Sequence, residues 1–402
     1  MFRRGLFYTY LSIYLRDFLK LSVTETTLYA TLPMIMSVIF QNFVWGPLSD
    51  KFQRRRTFII LGEILAGIGT ISVWGIHSVF TDFILAGYAV IIGLTCIEAF
   101  WSMSNIGWSA LISDLYPSLE RSKVMGQLTS IGGLGRIVGI SIGGLLYDNG
   151  YGFRNGPLFI VASLVMFISI LPMLLTPEGG INNQQTIEFH HNDGNINNVI
   201  NYKTIFLIFT VALVFINFGR NSIATIYSQF LILDDGFAVD SILLSYIANM
   251  RSLAVLLIGF TAGMLSKRFG HSQTLILGTI LSILSLIITA LTSSLILLFI
   301  GSFLIGTGEV IIYASSYAIA SDLIPEKIRA KLFGVYNTTF FLSWGLACTV
   351  ISGPIIDFLL NKGVNEVFSY QVAFLVGALI CVIGLLIFIF LQLWMRYKKV
   401  EN

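Results

Sequence analysis

The segment SDLYPSLERSKVMG at 113–126 returns as SDLIPEKIRAKLFG at 321–334, an offset of 208 residues. Two flanking segments recur in the same way. GPLSDKFQ at 46–53 recurs as GMLSKRFG at 263–270, and GGLLYD at 143–148 recurs as SGPIID at 352–357. Three matches in one order and at nearly one offset indicate an internal repeat. The chain is therefore predicted to contain two similar halves that run in the same direction.

The composition indicates what surrounds these halves. Of the 402 residues, 55% are hydrophobic and only 11% are charged, whereas a soluble domain carries about 25% charged residues. Lipid is therefore expected around most of the chain, which makes the lipid bilayer its first partner. The net charge of +3 gives no basic footprint for nucleic acid.

The sequence contains few residues in patterns that could bind a metal or a cofactor. Cys96, Cys348 and Cys381 all lie in apolar runs, where cysteine behaves as a small hydrophobic residue. No metalloprotease, serine-hydrolase or phosphate-loop motif is found in the sequence. We therefore expect neither a metal nor a cofactor, no enzymatic activity, and no direct use of ATP.

Apolar segments of about 20 residues, the length that spans a bilayer, follow one another along the chain. They lie at 26–49, 57–76, 81–113, 123–147, 155–175, 203–231, 240–265, 273–292, 295–321, 330–360 and 369–394. The apolar run at 5–15 is too short to span alone. The prediction is an all-α integral membrane protein with about twelve transmembrane helices in two parallel six-helix repeats.

The first helix is predicted to be truncated. At the offset of 217, Met1 falls opposite Phe218, although the seventh helix begins near Lys203. About 15 residues of the first helix then have no counterpart. The same alignment places Arg3 opposite Arg220, which puts Arg3 near the middle of the membrane.

The domain organisation follows from the repeat and one polar stretch. Residues 1–175 form the first half, 203–402 the second, and the Asn-rich segment 176–202 a flexible linker between them. The loop lysines and arginines gather on the linker's side of the membrane, and only Arg16, Lys20, Arg154 and Lys362 fall on the other side. By the positive-inside rule, the linker and both termini are predicted to be cytoplasmic in the plasma membrane.

The loop after the second helix resembles a motif of the major facilitator superfamily, Gly-x-Leu-x-Asp-Arg-x-Gly-Arg-Arg/Lys. It is represented by Gly46, Leu48, Asp50, Lys51, Gln53, Arg54 and Arg55, with Gln53 in place of the usual glycine. The resemblance extends over essentially the whole chain and implies that family's fold and transport of a small molecule. It also implies a conformational latch formed by Gly46, Asp50, Arg54, Arg55, Asp114 and Arg121. In the second half Lys267 replaces the aspartate, so the latch is expected in the first half only.

A narrower resemblance, to the proton-driven drug exporters of that superfamily, rests on the fifth helix. Gly126, Gly135, Gly139, Gly143 and Gly144 reproduce the exporters' glycine spacing. Ile140 stands where the exporters have proline, and their fourth-helix arginine is missing from 100–112. An alternative interpretation is that these small residues simply let two helices pack closely.

Five ionisable residues share one depth in the membrane. Glu98, Arg136, Arg220, Arg251 and Glu309 each lie 13–17 residues from the linker-side end of their helix, or about 20–26 Å at a rise of ~1.5 Å per residue. Buried charges cost at least a few kcal/mol each, so they are candidates for function. The predicted pairs are Glu98 with Arg136, and Glu309 with Arg220 or Arg251.

Two interpretations of this layer remain open. The residues form structural ion pairs that hold each half together, or the arginine excess binds an anionic or polar solute while Glu98 or Glu309 carries a proton. Glu63, two turns inside the third helix, is expected to support the basic loop rather than the site.

Three function classes follow. The first is a secondary active, proton-coupled transporter of a small organic solute, for which a monomer suffices. The second is a drug:proton antiporter that exports lipophilic cations. The third is a channel or a non-transporting receptor.

Overall fold

The computed structural model describes residues 1–116, 118–179, 202–324 and 329–401, and these residues form helices without a β-strand. The first half contains α1 (Phe2–Ile13, continued by the π-helical turn Tyr14–Phe18), α2 (Val23–Phe52), α3 (Arg55–Val79), α4 (Phe83–Leu115), α5 (Ser118–Leu146) and α6 (Pro157–Leu174). The second half contains α7 (Tyr202–Asn221), α8 (Ser241–Phe269), α9 (His271–Leu291), α10 (Leu295–Leu323), α11 (Arg329–Ala347, continued through Cys348–Ser352 and Gly353–Asn361) and α12 (Glu366–Glu401). The all-α prediction with two successive sets of six helices is confirmed.

The lengths of most helices agree with the transmembrane spans predicted from the sequence. Ten helices in the described part of the chain are long and apolar enough to cross a membrane. The remaining two are α5, whose apolar part is Ile131–Leu146, and the short α1. Long apolar runs form helices in lipid because every backbone N–H and C=O must be paired within the segment.

Polar side chains mark several helix starts. Ser22 and Glu25 form a capping box at α2, while Asp82 and Asp240 accept backbone N–H groups at the starts of α4 and α8. These side chains satisfy donors that the first helical turn leaves free. The predicted helix bounds therefore hold at these ends to within a few residues.

The predicted span 203–231 is not one continuous helix. The α7 helix ends at Asn221, and the chain turns before a short helix at Tyr227–Ile232. The Ser222 hydroxyl donates to the Gly219 carbonyl at 2.7 Å, and the Ala224 N–H donates to the Asn221 carbonyl at 3.0 Å. These bonds tighten the backbone and compete with helical continuation.

The predicted linker, 176–202, falls mainly on residues 180–201, which lie outside the described residues. Its first residues contact α3. The Glu178 carboxylate accepts from the Thr57 hydroxyl at 2.8 Å and lies 3.5 Å from Arg56 Nε. The segment that follows α6 is thus attached to the start of α3 as far as Gly179.

The halves meet along two helix pairs, α5 with α8 and α2 with α11. The inter-half hydrogen bonds and ion pairs that the structure describes lie at the midplane or towards the end opposite the linker, called here the distal end. There Gln229 donates to the Ser12 carbonyl at 3.1 Å and to the Thr26 hydroxyl at 2.9 Å. The midplane residues therefore lie beneath a closed distal end.

Candidate functional site

Two adjoining cavities lie at the depth of the predicted charge layer. The first-half cavity is lined by Arg3, Arg4, Phe7, Tyr8, Tyr29, Pro33, Leu94 and Glu98. The central cavity lies between the halves, and its lining includes Arg4, Tyr8, Arg136, Arg220, Arg251, Tyr227 and Trp344. Arg4 and Tyr8 line both, so α1 forms the wall between them.

Glu98 lies in the first-half cavity and is paired with α1. Its side chain is 5% exposed, and its carboxylate accepts from Arg3 Nη2 at 3.0 Å. The predicted pair of Glu98 with Arg136 is therefore wrong. The reason is the close approach of α1 to α5: a Cβ atom at Gly5 would overlap the Arg136 carbonyl, and one at Gly139 would overlap that of Phe2. This crossing places Arg3 beside Glu98 and leaves Arg136 on the central cavity.

Arg3 is also held by an aromatic ring that Glu63 positions. The Arg3 guanidinium lies 3.9 Å from the centre of the Trp101 ring, a cation–π distance. Trp101 Nε1 donates to Glu63 at 3.0 Å, and the Ser104 hydroxyl donates to the same oxygen at 2.8 Å. The prediction that Glu63 supports the basic loop is wrong, because its carboxylate is bound to α4 beside the charge layer.

Glu309 is paired with Arg251 in the second half. Arg251 Nε and Nη2 donate to one Glu309 oxygen at 2.9 and 2.7 Å. The alternative partner, Arg220, instead donates through Nε to Asn217 at 2.9 Å, with its guanidinium 5.8 Å from the Phe340 ring centre. Of the two predicted partners, the structure therefore selects Arg251.

Three arginines at the depth of the layer have no ion-pair partner among the residues that the structure describes. Within the described residues, no carboxylate lies within ion-pair distance of Arg4, Arg136 or Arg220. The Nε atom of Arg4 is buried and has no hydrogen-bond partner there. The sequence did not single out Arg4, although its position next to Arg3 places it at the same depth. All three arginines line the central cavity.

Three of the six predicted latch residues, Asp50, Arg55 and Asp114, form a charge cluster at the linker-side end of the first half. Arg55 is buried and donates to Asp114 at 3.2 Å, to Asp50 at 3.1 Å and to the Ser49 hydroxyl at 2.5 Å. The cluster joins the loop between α2 and α3 to the end of α4. Arg54 is exposed, and the side chain of Arg121 lies outside what the structure describes.

Gly46 and Gln53 shape the backbone of that loop. Gly46 follows the π-helical turn Gln41–Trp45 and precedes Pro47, which cannot donate the next helical hydrogen bond. Gln53 has φ of 55°, the left-handed conformation that favours glycine. Its counterpart Gly270 also has positive φ, 89°. The glycine of the family motif therefore fits the backbone here better than Gln53 does.

The glycines of α5 lie at helix crossings. A Cβ atom at Gly139 would overlap the Phe2 backbone, one at Gly143 the Tyr10 ring, and one at Gly144 the Ser241 backbone. Gly135 has ordinary contact distance to Phe2. These contacts support the close-packing interpretation, because they bring α5 against α1 and α8. The fold and the midplane charges together define a membrane transporter.

A family model described as Major Facilitator Superfamily matches residues 1–219 and again 209–401. The chain belongs to the major facilitator superfamily. Its two matches agree with the repeat seen in the sequence. The family and the fold are those of multi-pass membrane transporters, and not of enzymes.

The individual relatives and solved structures that resemble this chain share only part of its sequence. Multidrug resistance protein MdtG of Escherichia coli O6:K15:H31 is 25% identical over 350 residues, which cover 87% of this chain and 79% of the relative. An uncharacterized transporter of Buchnera aphidicola subsp. Schizaphis graminum is 31% identical over 143 residues, about a third of each protein. A mutant of nucleoside transporter NupG superposes with a TM-score of 0.75 at 17% identity, covering 97% of this chain and 96% of that structure.

Proposed function

We propose that this protein is a secondary active transporter that moves a small anionic or strongly polar organic solute through the central cavity by alternating access. The observation that carries the proposal is the presence of Arg136 and Arg220 on that cavity without carboxylate partners among the described residues. A charge at this depth requires a partner or water. The planar guanidinium donates two parallel hydrogen bonds to a carboxylate or phosphate.

The two arginines belong to different halves of the molecule. Arg136 is on α5 and Arg220 is on α7, and the central cavity lies between them. A solute that contacts both would bind differently when the halves move relative to each other. Differential binding of this kind is what allows a ligand to shift a conformational equilibrium.

Proton coupling is assigned to Glu98 or Glu309. Each carboxylate holds one arginine by a charge-assisted bond, at 3.0 Å to Arg3 and 2.7 Å to Arg251. Protonation would weaken that bond and release a guanidinium towards a cavity. Glu98→Gln and Glu309→Gln, made singly, test the idea. We expect one of them to uncouple transport from the proton gradient, and persistence of coupling in both variants excludes it.

The proposed location is the plasma membrane, with the linker and both termini cytoplasmic. This orientation rests on the excess of loop lysines and arginines on the linker side. In this orientation the closed distal end faces outward. A monomer contains the complete cavity, since both sets of lining arginines come from one chain.

Ligand-induced thermal stabilisation of the purified protein tests the substrate class. Organic acids, phosphorylated compounds, sugars and lipophilic cations are compared, because a ligand of the folded state raises stability with the logarithm of its concentration over Kd. Anions are expected to stabilise the protein, and Arg136→Gln and Arg220→Gln to abolish the effect. Arg268→Gln is the control, because Arg268 is exposed, lies at the linker-side end of α8 away from the cavity, and is not one of the predicted latch residues.

Export of lipophilic cations is the second candidate function. The MdtG relative is named a multidrug resistance protein, and the α5 glycines reproduce the exporter spacing. Stabilisation by cations alone, unchanged in Arg136→Gln, would favour this function and make the arginines structural. Saturable counterflow in proteoliposomes separates either carrier from a channel or receptor.

A further inference from the structure

The central cavity carries more positive charge than one carboxylate can offset. Its lining contains Arg4, Arg136, Arg220 and Arg251. Only Arg251 has an ion-pair partner in the described chain, Glu309 at 2.7 Å. Three guanidiniums therefore line one cavity without an ion-pair partner in the part of the chain that the structure describes.

Arg4 differs from its neighbour Arg3 in what it contacts. Arg3 is bound to Glu98 and lies over Trp101 at 3.9 Å. Arg4 is 5.2 Å from the same ring centre, and its buried Nε has no partner among the described residues. Consecutive residues on a helix point about 100° apart at 3.6 residues per turn. Arg4 accordingly lines the central cavity as well as the first-half cavity, whereas Arg3 lines only the first-half cavity of these two.

We propose that Arg4, Arg136 and Arg220 form one subsite for a doubly negative solute, such as a phosphate monoester or a dicarboxylate. A monoanion would leave an excess of at least two positive charges at a depth where each costs several kcal/mol. A dianion presents enough acceptor oxygens for two or three guanidinium forks. This inference rests on the proposed function and specifies its substrate class.

The arrangement also divides the charge between the halves. Arg4 and Arg136 come from α1 and α5 of the first half, and Arg220 comes from α7 of the second. A bound solute would supply negative charge to the arginines of both halves at the same time. The paired Arg251–Glu309 contributes no net charge, so the excess of three positive charges from Arg4, Arg136 and Arg220 is unchanged, and a dianion offsets two of them.

Matched probes test the charge requirement. Succinate is compared with its monomethyl ester, and glycerol 3-phosphate with glycerate, by thermal stabilisation of the purified full chain at pH 8. The phosphate monoester is then mainly dianionic, because its second pKa is about 6. We expect at least one dianion to bind ten-fold or more tightly than its monoanionic partner. Equal affinity within both pairs overturns the inference.

Arg4 variants separate this inference from the proposed function. Arg4→Gln is expected to lower dianion affinity to that of the monoanion, with Arg4→Lys intermediate and the exposed Arg268→Gln control unchanged. If Arg4→Gln does not fold, the Arg4→Lys comparison carries the test, because lysine keeps the charge and loses the fork. Full dianion preference in the Arg4 variants, with loss in Arg136→Gln, rejects the three-arginine subsite and leaves anion transport standing. Absence of binding by every anion rejects both.

Discussion

Glu63 shows how a half-buried carboxylate, which has no ion-pair partner among the described residues, acts through a neighbour. It accepts from Trp101 and Ser104, and Trp101 in turn lies against the Arg3 guanidinium that binds Glu98. Five side chains from α1, α3 and α4 thus support one another. Glu63 is a positioning residue for the first-half cavity, since it touches neither cavity lining directly.

Replacing Glu63 tests that role. Glu63→Leu leaves the Trp101 N–H and the Ser104 hydroxyl without an acceptor, which costs about 1–3 kcal/mol of stability. Glu63→Gln keeps a carbonyl oxygen and is expected to lose less than half as much. Urea-induced unfolding in detergent measures both. The Leu variant is repeated in a Trp101→Phe background, where the difference should shrink, and an unchanged difference there would show that Trp101 is not the link.

Gln53 is a second residue whose local backbone has a measurable cost. A non-glycine residue in the left-handed region costs roughly 1–2 kcal/mol. Its half-buried side chain recovers part of this by donating to the Asp50 carbonyl at 2.7 Å. Gln53→Gly is therefore expected to raise stability by about 0.5–1 kcal/mol, measured as a shift in thermal midpoint. Gln53→Ala is the control: it loses the bond, keeps the strain, and should gain nothing.

The sequence predicted how deep the charged side chains lie in the membrane, but not which side chains they contact. Distance along a helix fixes how deep Glu98, Arg136 and Glu309 lie, because the rise per residue is constant. Which side chain each one meets depends on the rotation and crossing of neighbouring helices. The contact of Gly5 with Arg136 across α1 and α5 decides the Glu98 partner, and a one-dimensional offset contains no such information.

Among the elements, α2 and α11 share a local departure from α-helical geometry. Each has a five-residue π-helical turn directly before a Gly-Pro pair, Gln41–Trp45 before Gly46 and Cys348–Ser352 before Gly353. Proline lacks the N–H that would continue the helix, and a π-turn is one way to accommodate the loss. Apolar length and the repeat predicted both helices. The π-helical turns depend on packing against neighbouring helices, which the sequence pattern does not give.

The same two helices touch backbone to backbone through glycines of α11. A Cβ at Gly345 would overlap the backbone at Ala30 and Thr31, and one at Gly353 would overlap Thr24. Nearby, Asp357 accepts the Val23 and Thr24 N–H groups at 3.0 and 2.8 Å. The carboxylate thus pairs free donors at the positive end of the α2 dipole. The third repeated motif, at 352–357, therefore contributes directly to inter-half closure.

Separating α2 from α11 should open the distal end. Gly345→Val inserts two methyl groups and a Cβ into the crossing, an overpacking that costs the closed state about 1–3 kcal/mol. The readout is maleimide labelling of Ser12→Cys, a fully buried position at that end, after replacement of the three native cysteines. Labelling is expected to accelerate several-fold. Gly334→Ala, on the same helix with no atom near its Cβ, should leave the rate unchanged.

At the scale of the whole molecule, the contacts between halves are distributed unevenly. Gln229 is 1% exposed and joins Ser12 and Thr26 of the first half to Tyr370 of the second. Arg16 and Glu366 form an ion pair at 3.3 Å at the same end. Such polar bonds are replaceable by water when the end opens. A closure of this kind is therefore reversible, as alternating access requires.

Locking the distal end tests whether that closure must break during transport. The hydroxyls of Thr27 on α2 and Thr349 on α11 are 2.7 Å apart, so cysteines there lie within the range of a disulfide. In a background without native cysteines, Thr27→Cys/Thr349→Cys is expected to cross-link on oxidation and to abolish solute counterflow. Reduction should restore it, and each single variant should be unaffected by oxidant.

Measurements on the cross-linked protein also distinguish a loss of distal opening from a loss of solute binding. The central cavity arginines lie nearer the linker side than this bond, so ligand-induced thermal stabilisation should persist after oxidation. Loss of counterflow with retained stabilisation means that the solute still binds and that opening of the distal end is the step removed. Undiminished counterflow in the fully oxidised protein would show that the halves need not separate along α2 and α11, and would contradict alternating access through this end.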